Sequence, residues 1–259
     1  MPSPLPLPPR AAAVSELLNA AARLFRTTVA KCLPLAMLAA LAIELPVLTL
    51  LARNQTLDIW HPPTDPQFWM LYSVGLLTLL WLMGAAMLRQ GTMVRGQPIN
   101  LAGELRHSAS RLLVLVPALF LVMVALATIV NLFQIAPAWY LRVLALLPVL
   151  YLVVCFWVLM PIVMFEPGGA LTALVRSLRL VQPLWWKCCF CVVIGLGITF
   201  VCLLAAMAVL GLVLGPGAVT AGSVLNAIST VLIIGLTGSV WLFFSALAIV
   251  LYSAASSSA

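Results

Sequence analysis

The sequence predicts an all-α membrane protein with six transmembrane helices. Hydrophobic residues fill 64% of its 259 positions and charged residues only 7%, with a mean hydropathy of +1.20. A soluble domain needs a far more charged surface. The apolar residues also fall into separate runs, each near the roughly 20 residues that cross about 30 Å of hydrocarbon.

The elements follow in order. Met1–Arg10 is proline-rich and lacks the basic-then-apolar order of a secretory signal, so residues 1–13 read as a disordered leader. Ser15–Thr27 reads as a short amphipathic helix capped by Ser15. Leu17, Leu18, Ala21, Leu24 and Phe25 share one face, with Arg23 and Arg26 off it. The first span, Cys32–Ala52, contains Glu44 and Pro46. A loop over Arg53–Gln67 holds Trp60 and three prolines and leads to the second span, Phe68–Leu88.

A second amphipathic segment, Asn100–Arg111, opens on the cap candidate Asn100 and carries Leu101 and Leu105, with Leu112 continuing the spacing. The third and fourth spans, Leu112–Phe133 and Trp139–Phe165, are separated by a tight turn, Gln134–Ala138. A third amphipathic segment, Gly168–Val181, places Leu171, Leu174, Leu178 and Val181 on one face. The fifth and sixth spans are Cys188–Leu214 and Val224–Tyr252, and Ser253–Ala259 reads as a disordered tail. Residues 14–252 are thus expected to form one domain of three hairpins, each preceded by a short cytoplasmic amphipathic helix.

Charge orients the bundle. Of the 13 Lys and Arg residues, all but Arg53 and Arg142 lie on one side of these spans. By the positive-inside rule that side, with both termini, is cytoplasmic. The net charge of +7 is therefore a topology signal and no nucleic-acid footprint. Arg106, Arg111, Arg176 and Arg179 are candidate contacts for anionic lipid headgroups or a membrane protein partner.

No catalytic set is visible. His61 and His107 fall on opposite sides, and neither a Gly-x-Ser-x-Gly elbow nor a Walker-type phosphate loop occurs. The six cysteines lie in spans or at their ends, and the cluster Cys188, Cys189 and Cys191 lacks a companion ligand pair, so no metal and no cofactor are expected. Gly195, Gly197, Gly235, Gly238 and the pair Gly211 and Gly215 read as helix-contact residues.

Glu44 stands out, because an ionisable group inside a membrane is costly. It lies about 12 Å below the outer boundary, and Arg142 enters about 5 Å below Trp139. With Asn131 and Asn226 they form a candidate polar cluster in the outer half. Three readings stay open: a register-fixing Glu44–Arg142 pair, a polar path or ligand site, and a proton-responsive carboxylate. Pro46 adds a freed carbonyl near Ala42.

The stretch Pro161–Lys187, with Glu166, Arg176, Ser177 and the Trp185-Trp186-Lys187 approach to the fifth span, resembles the membrane domain attached to some bacterial glycerophosphoryl diester phosphodiesterases, and related free-standing six-span proteins. Gln97–Leu113 looks like the corresponding earlier repeat. The resemblance implies a bacterial inner-membrane location and a structural role for Pro161, Glu166, Arg176 and Ser177. In that family catalysis belongs to a soluble domain with no counterpart in this sequence. The expected function is a non-enzymatic accessory or scaffold in membrane or envelope homeostasis. The alternative is a small transporter or lipid-handling bundle centred on Glu44.

Overall fold

The computed structural model describes residues 8–9, 11–52, 63–98, 100–134, 139–214 and 224–256. Among them, every regular element is helical: α1 (Val14–Ala52), α2 (Pro66–Val94), α3 (Leu101–Gln134), α4 (Trp139–Phe156), α5 (Leu159–Phe165), α6 (Ala170–Val181), α7 (Trp185–Leu214) and α8 (Val224–Ser256), with a 3-10 turn at Gln182–Leu184. Six helical stretches are long and apolar enough to cross a membrane. The chain is an all-α, multi-pass membrane protein.

The helix starts follow from local chemistry. Asp65 caps α2 by accepting from the Gln67 amide at 2.9 Å, with Pro66 in the first turn where its missing N–H costs nothing. Asn100 Oδ1 accepts from the Gly103 amide at 3.1 Å and caps α3 as expected. At α1, Ser15 is already inside the helix. Ala13 is the cap position, and Glu16 reaches back to accept its amide at 3.1 Å. Just past the end of α2, Gly96 has a φ of 66°, and the Gly96 and Gln97 amides return to the Met93 and Thr92 carbonyls.

Several expectations change. The first two amphipathic segments are not separate helices. They are the leading turns of α1 and α3, each unbroken into its span. With 39 residues, α1 is about 58 Å long, nearly twice the hydrocarbon thickness. Only the third segment is a helix of its own, α6, cut off by the turn at Pro183. Its buried face is Ala173, Leu174, Ser177, Leu180 and Val181, whereas Leu171 is exposed. The buried stripe of α3 runs through Glu104, Ser108, Leu115, Ala118 and Val122, while Leu101 faces outward. Helix α8 continues through Ser256 with Ala254 and Ala255 buried, so the tail is ordered up to that residue. At the other end, Ala12 is buried and Lys187 Nζ donates to its carbonyl at 3.1 Å, so the last leader residues are anchored.

Packing does not follow three independent hairpins. Helix α1 packs mainly between α2 and α8, and α8 lies chiefly against α1, with a slighter contact to its sequence neighbour α7. Helices α3 and α7 turn rows of large apolar residues outward, including Leu113 and Phe120 on α3 and Phe200 and Leu204 on α7. In a bilayer such rows face lipid. Small residues permit the central approach: Ala36, Ala39 and Ala40 on α1, Ala85 and Ala86 on α2, and Ala246 on α8 are all buried.

Two glycines decide how close α1 comes to its neighbours. A Cβ on Gly75 would sit 2.3 Å from the Ala42 carbonyl oxygen, the one that Pro46 deprives of its helix partner. A Cβ on Gly238 would meet the Ala36 backbone at 3.0 Å. Gly195 also packs in a helix contact, against Leu247, Phe243 and Phe244, whereas Gly197 faces open space. Gly215 and the surroundings of Gly211 lie outside the described residues. Because backbone cannot yield as a side chain end can, Gly75→Ala should cost about 1–3 kcal/mol by overpacking. Gly197→Ala should leave the melting temperature unchanged. Thermal unfolding of both variants in mild detergent checks this.

Candidate functional site

Most buried polar side chains collect at the basic end of the bundle, and α2 supplies the centre of the group. Arg89 is 8% exposed and Glu104 on α3 is 6% exposed. Arg89 Nε donates to Glu104 Oε2 at 2.9 Å, and its Nη1 donates to the Lys31 carbonyl of α1 at 3.0 Å. The Thr92 hydroxyl lies 3.3 Å from Glu104 Oε1 and 2.9 Å from the Arg89 carbonyl, so its one hydrogen serves one of the two. One ion pair thus joins three helices.

The next residue, Gln90, is fully buried and points to the other side of α2. Its Nε2 donates to Thr28 Oγ1 at 3.3 Å and to the Leu242 carbonyl at 3.2 Å, while its Oε1 accepts from Ser245 at 2.8 Å. Thr28 donates onward to the Leu24 carbonyl at 2.7 Å. The amide is satisfied on both ends and ties α2 to α1 and α8. About two and a half turns below, Trp81 Nε1 donates to the Leu105 carbonyl at 2.9 Å, and Ser108 donates to the Trp81 carbonyl at 2.6 Å. His107 Nε2 bonds the Met164 carbonyl at 3.1 Å, in the last turn of α5, where carbonyls lack helix partners.

A second cluster closes the α5–α6 corner. Glu166 forms an ion pair with Arg176 and accepts from the Tyr252 hydroxyl at 2.8 Å. Phe165 stacks on Tyr252 with ring centroids 6.0 Å apart, and the Arg95 guanidinium lies 5.4 Å from the Phe165 centroid. Ser177, fully buried, donates to the Cys155 carbonyl and fastens α6 to α4. Pro161 lies in α5, where it has no N–H to return to the Trp157 carbonyl. Of the other headgroup candidates, Arg106 and Arg179 are exposed and Arg111 is half-buried.

Of the outer cluster, only Glu44 and Asn131 have described side chains. Glu44 is half-buried and Asn131 is exposed, and among the described residues neither joins a hydrogen bond or ion pair to another helix. The side chains of Arg142 and Asn226 lie outside the described residues. Helices α1 and α4, which a Glu44–Arg142 bridge would have to join, share no substantial interface. Five cysteines are buried and Cys202 is exposed on α7. Among the described residues, no three His, Cys, Asp or Glu side chains converge as metal ligands.

One further feature escaped the sequence. Helix α4 stops at Phe156 and α5 starts at Leu159, so this span is broken at Trp157 and Val158. Trp157 Nε1 is buried without a hydrogen-bond partner, alone among the buried side-chain nitrogens and oxygens described. Leaving such a donor unpaired costs about 1–3 kcal/mol. The indole lines a lateral cavity of about 320 Å³ between α2, α4, α5 and α8, whose other walls are almost wholly apolar.

Removing one member of a buried ion pair strands the other, a loss of about 3–5 kcal/mol. Glu104→Gln should therefore lower stability sharply. The double variant Arg89→Met with Glu104→Met should regain most of it, because no charge is left unpaired. Chemical denaturation of the three proteins in detergent micelles measures both effects.

Comparison with protein-family models, curated proteins and solved structures finds no match to this chain.

Proposed function

We propose that this chain is a non-enzymatic accessory or scaffold of the bacterial inner membrane, with its basic end and both termini in the cytoplasm. The observation that carries the reading is the mutual engagement of the basic-end polar groups. Arg89, Glu104, Gln90, Thr28, Ser108 and Ser245 bond one another and helix carbonyls. A transport path needs polar groups free to exchange partners with a passing solute, and a catalytic site needs a nucleophile beside a base. These groups are engaged with one another instead. They hold helices in register.

What remains available is the surface. Arg23, Arg26, Arg106 and Arg179 are exposed at the basic end. Glu16, Asn19, Ala22, Arg23 and Arg26 share one face of α1. Such a face suits phosphate headgroups or an acidic partner segment. The resemblance of Pro161–Lys187 to the phosphodiesterase-associated membrane domain supports the same reading, since in that family the chemistry resides elsewhere. The Glu166–Arg176 pair gives those residues a structural task here.

The test has three parts. Reporter fusions at either end should place both termini in the cytoplasm. Proteoliposomes containing the purified chain should show no ion or small-solute flux above empty vesicles. Mass spectrometry after mild extraction should find a stoichiometric protein partner that Arg23→Glu with Arg26→Glu releases. Saturable flux abolished by Glu44→Gln would overturn the reading in favour of transport.

A further inference from the structure

We propose that the α5–α6 corner holds an anionic phospholipid, its phosphate among Arg95, Arg111 and Arg176 and its acyl chains on the apolar residues beside them. The proposal rests on the reading that the basic end meets the cytoplasmic leaflet, and it names the molecule that one corner of that end takes. Three arginines converge there. Arg176 pairs with Glu166, and the Arg95 guanidinium lies 5.4 Å from the centroid of the adjacent Phe165 ring. Arg111 joins them by helix register. It stands on α3 one turn after His107, which bonds the Met164 carbonyl, and one turn before Val114, which lines a crevice with Glu166, Gly168, Thr172 and Arg176. Residues at such spacings share a helix face.

The chain answers these three cations with a single carboxylate. The acidic residues described at the basic end are Glu16, Glu104 and Glu166. Glu104 is committed to Arg89, and Glu16 accepts the Ala13 amide on α1. Among the described residues, neither Arg95 nor Arg111 has an acidic partner. Arg111 is half-buried, so its charge is already partly withdrawn from water and gains from a fixed anion. Arg176 gives Glu166 only its Nε, and both Nη groups keep donors for further oxygens. Guanidinium groups placed in this way suit a phosphate.

The surroundings select a lipid over a soluble anion or an acidic peptide. Leu113, two residues past Arg111, is 82% exposed, and Leu171 on α6 is 69% exposed. Val175, next to Arg176, is exposed as well. Helix α6 is therefore apolar on two sides, with Leu174, Leu180 and Val181 against the bundle and Leu171 and Val175 away from it. An acidic segment in water would answer the charge and leave these side chains wet. A phospholipid brings phosphate and hydrocarbon in one molecule, and long arginine stems carry the guanidinium from one to the other.

The test is native mass spectrometry of the full chain in mild detergent, titrated with phosphatidylglycerol or phosphatidylcholine carrying the same acyl chains. Each arginine near a lipid phosphate is worth about fivefold, so phosphatidylglycerol should bind about tenfold more tightly or better. Arg95→Gln with Arg111→Gln should remove most of that preference without lowering the melting temperature, because neither side chain is in an ion pair. Arg23→Gln with Arg26→Gln takes the same charge from α1 and should leave the preference intact. Leu171→Gln with Val175→Gln should weaken both lipids and keep phosphatidylglycerol favoured. An equal loss in the α1 variant would mean attraction by net charge alone and would overturn the proposal. So would an unchanged preference without Arg95 and Arg111, binding undiminished by the α6 variant, or release of the lipid by excess inorganic phosphate. A chain that shows the preference but no protein partner fails the scaffold reading alone, and one that keeps a partner without the preference fails this proposal alone.

Discussion

A polar side chain buried between helices cannot fall back on water, and the basic end of this bundle is organised around that constraint. Arg89 and Gln90 are adjacent on α2 and point to opposite sides of it. One therefore reaches α3 and the other α8, while both reach α1. Each bond has a steep alternative, a buried charge or amide left unpaired. Four helices are thereby held in a single register. Lipid tails are as apolar as leucine, so apolar contact alone would leave sliding and rotation nearly free.

Those bonds are within reach only because the backbones are close. The Gln90 amide spans the gap to Thr28 and to the Leu242 carbonyl where Cys32 and Ala36 on α1 face Ala86 on α2 and Gly238 on α8. Larger residues at these positions would lengthen every bond beyond the range in which it acts. The freed Ala42 carbonyl belongs to the same scheme. Pro46 removes its helix partner, and Gly75 brings the α2 backbone directly against it. Small residues and buried polar residues are two halves of one device, the first setting the distance and the second the register.

The spans were legible because hydropathy over some 20 residues needs no partner to be meaningful. The caps at Asn100 and Asp65 are local for the same reason. The polar centre was not legible, although all its residues were in plain view. Arg89 counted only as one more basic residue at a span end, and Glu104 sat among the polar positions of an amphipathic segment. What makes them a pair is the relative rotation of α2 and α3, and a linear pattern does not carry that rotation. The apolar spacing of Leu101, Leu105 and Leu112 even suggested a different buried face, one the polar bonds of Glu104 and Ser108 override. Glu44 was conspicuous for its depth alone. Depth identifies a costly residue without naming its partner.

Trp157 shows the limit of reading stability into every buried contact. Its indole looks in sequence like one more apolar residue in an apolar span. The fold nonetheless leaves its N–H without an acceptor, although the same bundle finds one for Trp81. A phenylalanine would fill much of the same space without the stranded donor. The break beside it points the same way, because Pro161 withholds an amide from the Trp157 carbonyl where an unbroken helix would supply one. The indole N–H thus stays unpaired beside a break in the span. Elsewhere the chain spends glycine, alanine and paired charge to avoid such vacancies.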